Sequence, residues 1–81
     1  MPSKSRYKPE KLAAKLLKIR EDLSLSQSGM VKKLAAENQI DRAKISEFES
    51  GRRIPALNLL LAYARAGRVS VEYLIDDEIL D

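Results

Sequence analysis

Apolar residues recur along this chain at three- and four-residue spacing, and no segment alternates in the manner of a strand. Leu12, Leu16, Ile19 and Leu23, with Ala13 and Leu17 beside them, predict one amphipathic helix from about Pro9 to Leu23. Pro9 suits a first helical turn, where its missing N–H costs nothing. Lys11, Lys15 and Lys18 fall on the other face. "LSLSQ" interrupts the pattern, and Ser26 is placed to cap a second helix with Met30, Val31 and Leu34 inward. Asp41 caps a third, in which Ile45 and Phe48 share a face, and Gly51 ends it. Pro55 opens a fourth, with Leu57, Leu60, Leu61 and Ala64 toward the core and Gly67 at its end. Ser70 caps a short fifth helix, with Val71, Leu74 and Ile75 inward.

Five short helices joined by polar turns predict a compact all-α domain over residues 9–75. Residues 1–8 are expected to be a flexible basic arm and residues 76–81 an acidic tail. Tight connections between the second, third and fourth helices demand steep crossings instead of an up-down bundle. A pair of helices meeting this way, the second with short polar side chains outward, has the geometry of a helix-turn-helix.

Composition narrows the chemistry. The 81 residues contain no cysteine and no histidine, so no thiolate site, disulfide or imidazole base is available. No metal or cofactor is expected. Charged residues make up 33% and hydrophobic ones 44%, the balance of a soluble globular domain. No apolar run has the length of a membrane span, and the basic N-terminus lacks the apolar segment of a signal peptide, so a cytoplasmic location is expected. The net charge of +3 is unevenly spread. Residues 1–33 hold nine Lys/Arg against three Asp/Glu, whereas residues 54–81 hold two against five. One side therefore suits a polyanion, although charge runs are often just solvated faces.

The stretch "DRAKISEFESGRR", residues 41–53, stands out. Opposite Ile45 and Phe48 it presents Arg42, Ala43, Ser46 and Glu47, then closes on Gly51 and two arginines. An idle surface helix more often carries long solvating charges all round.

"LSLSQ", "MVKKL", "ISEFESGRRIP" and "LLLAYARAGRVSVEYLI", in that order, resemble the lambda-repressor-like (Xre/Cro) family of helix-turn-helix DNA-binding proteins. The matching residues are Leu25, Ser26, Gln27, Ile45, Ser46, Glu49, Gly51, Pro55, Leu60, Val69, Ser70, Val71 and Leu74. Between Gln27 and Arg42 the chain is a few residues longer than the family's usual spacing. Either the second helix starts at Gln27 and "AAENQI" forms an extended turn or an added helical turn, or it starts near Val31 with the extra residues before it. The second register puts Asn38 where a buried leucine is expected. An amide without a partner there costs about 1–3 kcal/mol. The first, with Met30 and Leu34 inward, is preferred.

The resemblance implies double-stranded DNA as partner. It places Arg42, Ala43, Lys44, Ser46 and Glu47 at positions facing base edges. Arginine binds the guanine edge bidentately, alanine meets a thymine methyl, and glutamate accepts from cytosine N4 while repelling nearby phosphates. Gln27, Lys32, Arg52 and Arg53 are the expected phosphate contacts, Gln27 because it opens a helix whose free N–H groups favour an anion. The arm residues Lys4, Arg6 and Lys8 are weaker candidates. Arg20 and Glu49 match positions that form an ion pair between the first and third helices in relatives. Phe48, Tyr63 and Tyr73 are expected to be core or interface residues. Family members usually bind as dimers on paired half-sites. The last helix and tail, with Val71, Tyr73, Leu74, Ile79 and Leu80, are the expected homodimer interface; otherwise they seal the monomer.

The function expected is a sequence-specific transcriptional regulator, prokaryotic or from a phage or plasmid, working by occupancy. The alternative is an antitoxin-like or other protein-interaction module built on the same fold. An enzyme is the least favoured: Ser46 has no activating base, and no carboxylates converge.

Overall fold

Three of the five helices begin where a short oxygen-bearing side chain precedes an apolar run, and each cap is made. The structure, a computed structural model, describes residues 9–78. Helix α1 spans Leu12–Asp22, α2 Gln27–Lys33, α3 Arg42–Ser50, α4 Leu57–Gly67 and α5 Val71–Ile75. Ser26 Oγ accepts from Gly29 N at 2.9 Å, Asp41 Oδ1 from Ala43 N at 3.0 Å, and Ser70 Oγ from Tyr73 N at 2.9 Å. Among the described residues there is no strand, and the architecture is the expected all-α arrangement of five helices.

Helix α1 is capped from a distance. Its N-cap residue, Lys11, makes no side-chain cap. Asp77, just beyond α5, instead accepts from Glu10 N at 2.9 Å and Lys11 N at 3.1 Å. Pro9 therefore lies in the lead-in to α1, not in its first turn.

The core gathers Leu12, Leu16 and Ile19 of α1, Met30 and Val31 of α2 with the following Leu34, Ile45 and Phe48 of α3, Leu59, Leu60, Tyr63 and Ala64 of α4, and Leu74 of α5. Helix α2 starts at Gln27, the preferred register. The extra residues form an irregular turn. Ala35 leaves α2 through a left-handed conformation with φ of 55°. Ala36 turns inward and Asn38 remains exposed.

Three expectations change. Lys15, assigned to the outer face, is buried at 2% exposure. It lies in the Leu12–Leu16–Ile19 stripe, and its ammonium donates to Tyr73 O at 2.6 Å and Asp76 O at 3.1 Å. Leu57 and Leu61, assigned to the core, are 72% and 39% exposed, and Leu59 and Tyr63 take their place. Asn58 and Arg65, seven residues apart, mark the exposed face of α4, and Leu57 and Leu61 lie beside it. Gly67 ends α4, as expected, and the left-handed residue that follows it is Arg68, with φ of 59°. A Cβ on Gly67 would stand 2.8 Å from Ile19 Cγ1, so this glycine permits close approach of α4 to α1. Leu74, expected inward and also named for a dimer interface, keeps only the first role: it is fully buried in the monomer core, where α5 meets α1 and α4.

Candidate nucleic-acid interface

Helix α3 is held by its apolar edge. Ile45 and Phe48 are 0% and 3% exposed, which fixes the opposite edge outward. There Arg42, Ala43 and Ser46 are exposed, and Lys44 and Glu47 are half-buried at its margins. Ser50 continues the same face and is exposed, its hydroxyl donating to Glu47 O at 3.2 Å. The sequence reading passed over Ser50, although its four-residue spacing from Ser46 signals it.

Gly51 ends α3 in the left-handed conformation, with φ of 82°. This turn brings the next residues back over the helix end. Arg52 N and Arg53 N donate to Glu47 O at 3.0 and 3.3 Å. Arg53 Nε donates to Glu47 Oε1 at 2.9 Å, and Lys44 Nζ stands 3.8 Å from the same oxygen. The Arg53 hydrogen bond, helped by Lys44 and Arg52, holds the Glu47 carboxyl below the usual carboxylate range. Glu47 is thus an engaged carboxylate, not a free acceptor. The i,i+3 spacing of Lys44 and Glu47 was legible in sequence, but the return of Arg53 depends on the turn at Gly51.

The angle of α3 on its neighbours is set by a polar cluster under its C-terminal half. Arg20 Nε donates to Glu49 Oε2 at 2.7 Å and its terminal nitrogen to Glu49 Oε1 at 3.1 Å, a bidentate pair. Arg20 also donates to Leu25 O at 2.9 Å, tying in the α1–α2 connection. Gln27 Nε2 donates to Glu49 Oε1 at 3.2 Å. The first residue of α2 therefore braces α3 while lying half-buried at the helix start.

The remaining site candidates sit around this helix. Lys32, in the last turn of α2, is exposed and shares a shallow hollow of about 320 Å3 with Ser28, Val31, Asp41 and Arg42. Arg52 is exposed beyond α3. In α5, Val71 and Tyr73 are half-buried against the core, and the Tyr73 ring lies under Lys15. Lys4, Arg6, Lys8, Ile79 and Leu80 fall outside the described residues. Among the described residues no cluster of acidic side chains is arranged to hold a metal ion, and no helix is long and apolar enough to cross a membrane.

The arrangement is a helix pair whose second member stands proud of the surface with a small, polar and cationic face. A crystal structure of the P22 c2 repressor protein in complex with a synthetic operator superposes on this fold with a TM-score of 0.70. The alignment is 23% identical and covers 82% of this chain and 94% of that one. No curated protein sequence matches the chain. The helix-turn-helix family model matches residues 10–74, nearly all of the described fold, and the chain belongs to that family, in its lambda-repressor-like form.

Proposed function

We propose that the protein is a sequence-specific double-stranded-DNA-binding transcriptional regulator that lays α3 in the major groove. The observation carrying this reading is the orientation of α3: Ile45 and Phe48 are sealed inward while Arg42, Ala43 and Ser46 face water. A helix of this width fits the major groove, where every base pair offers a distinct pattern of donors and acceptors. Arg42 is the principal reader, suited to a guanine edge. Ala43 and Ser46 allow close approach to the base edges, and Lys44 reaches a base or a phosphate at the margin. Lys32 and Arg52 flank the helix as phosphate contacts, and Gln27 presents the start of α2 to the backbone while bracing Glu49. Binding blocks or recruits by occupancy, with no chemistry. The P22 c2 repressor, bound to operator DNA in its crystal structure, supports the reading by its similar fold.

Two copies on paired half-sites complete it, because one short helix reads few bases. The dimer surface is redrawn from the sequence expectation, since Leu74 is in the core. Val71 and Tyr73 keep partial exposure. Ile54, Leu57 and Leu61, all C-terminal to Arg53, are the large apolar side chains that stand in water among the described residues. These exposed apolar side chains are the one feature favouring the alternative, a module that captures another protein.

Selection of bound sites from random duplexes tests the reading. An enriched motif with half-sites about one helical turn apart is expected. Arg42→Ala should relax one or two base positions and cost about 1–3 kcal/mol on the preferred site. No enrichment over many rounds, with binding unaffected by Arg42→Ala, would overturn it.

A further inference from the structure

At the margin of the outward face of α3 stands an acidic residue, Glu47, and it already has a partner. Glu47 holds Arg53 twice: by its carbonyl, through Arg53 N at 3.3 Å, and by its carboxylate, through Arg53 Nε at 2.9 Å. Both side chains are substantially exposed, at 33% for Glu47 and 56% for Arg53. Water and ions therefore reach the pair, and it opens without disturbing the core. A phosphate approaching the end of α3 competes with the Glu47 carboxylate for one guanidinium. If Arg53 turns to the phosphate, Glu47 is left unpaired in the field of the polyanion. Lys44, at 3.8 Å, offers only partial compensation.

We infer that Glu47 is a counter-charge that withholds Arg53 from the phosphates of arbitrary DNA, and so widens the gap between non-specific and specific binding. The inference rests on the reading of α3 as the DNA-facing helix. On a preferred site, the amino group of a cytosine in the groove takes over the Glu47 carboxylate. Arg53 is then free to meet the backbone, and the number of satisfied charges is conserved. On an arbitrary sequence no such donor waits, so the exchange leaves a carboxylate stranded and Arg53 stays where it is. Glu47 is in this account a specificity-determining residue acting through Arg53. The sequence expectation that Arg53 is a simple phosphate contact applies only once the pair has opened.

The test is a double-mutant cycle on a duplex of random sequence, with affinity measured across a series of salt concentrations. Glu47→Gln keeps the shape of the side chain and removes its charge. It should tighten random-duplex binding several-fold and steepen the slope of log affinity against log salt by about 0.9, the value of one added phosphate contact. Arg53→Ala should change that slope little in the parent protein and should abolish the gain in the Glu47→Gln background. An equal gain from Glu47→Gln with or without Arg53 would mean simple repulsion between Glu47 and DNA, and would overturn the inference. No gain, or weaker binding, would overturn it too. Retention on immobilised heparin repeats the cycle on a polyanion that has no bases. A protein that ignores duplex DNA yet shows the same coupling on heparin would sink the DNA reading and leave the charge pairing standing. Circular dichroism on each variant confirms that the helices are intact.

Discussion

Lys15 and Tyr73 are joined at two levels. The Lys15 ammonium donates to the Tyr73 carbonyl at 2.6 Å and lies 4.6 Å from the centroid of the Tyr73 ring. It also donates to Asp76 O at 3.1 Å. A cation from α1 thus meets the carbonyls at the end of α5, where the helix dipole is negative. Asp77 meanwhile satisfies amides before α1. The two helices cap each other's open ends, and a five-residue helix too short to persist alone is held in place.

Lys15→Met keeps the stem and removes the ammonium. It leaves two carbonyls without their buried donor, so a loss of about 1–3 kcal/mol is expected. Urea unfolding should show it as a lower midpoint at unchanged slope. A stability equal to that of the parent would mean that water replaces the ammonium at no cost.

The other half of the clasp depends on pH. The Glu10 and Lys11 amides hold the Asp77 carboxyl below the usual carboxylate range. A depressed folded pKa adds stability that is fully present above the unfolded value of Asp, and is lost as pH falls through the folded one. Thermal melts of the parent and of Asp77→Asn should therefore differ at neutral pH and converge on acidification below about pH 4. A constant gap down to the most acidic pH would show that Asp77 contributes through shape alone.

Periodicity and caps made much of this molecule legible. Ser26, Asp41, Ser70 and Gly51 marked helix boundaries because their chemistry is local. Ile45 and Phe48 marked the buried edge of α3 because polar residues surround them. Helix α4 has its own local signal: Asn58 and Arg65, seven residues apart, mark a polar face of "LNLLLAYARA", with exposed Leu57 and Leu61 beside it and buried Leu60 and Tyr63 opposite. Lys15 was misplaced because a lysine is ordinarily given to water, even where spacing sets it in the apolar stripe. Its partners are carbonyls 58 and 61 positions away, which no local pattern announces. The candidate site divides the same way. The composition of the outer face of α3 was readable, whereas the Glu47–Arg53 pair exists only after the turn at Gly51 folds the chain back.

Tyr63 carries the one buried side-chain polar atom among the described residues that lacks a hydrogen-bond partner, its hydroxyl. Burial, with Glu49 adding to it, pushes the phenol well above its ordinary pKa. A buried hydroxyl without a partner carries a desolvation cost and returns nothing. Tyr63→Phe should leave stability unchanged or raise it by up to about 1 kcal/mol, measured by thermal and urea unfolding. A clear loss would reveal a tightly held water bridging the hydroxyl to a neighbour.

Arg20 and Glu49 set the seat of α3, and their worth shows best when they are removed singly and together. Their side chains are 17% and 7% exposed, so each charge has given up most of its water. Arg20→Met leaves Glu49 with Gln27 as its remaining side-chain donor. Glu49→Leu leaves the guanidinium with Leu25 O alone and strands the Gln27 amide. Each single change should cost about 3 kcal/mol, the lower end for a broken buried pair, because the guanidinium keeps some contact with solvent. The double variant should cost clearly less than the sum, since no charge is then left unpaired. DNA affinity should fall in the single variants through the tilt of α3, with the sequence preference of Arg42 blurred but not redirected. Additive stability losses would show that the two residues act separately, and that the position of α3 rests on its apolar edge instead.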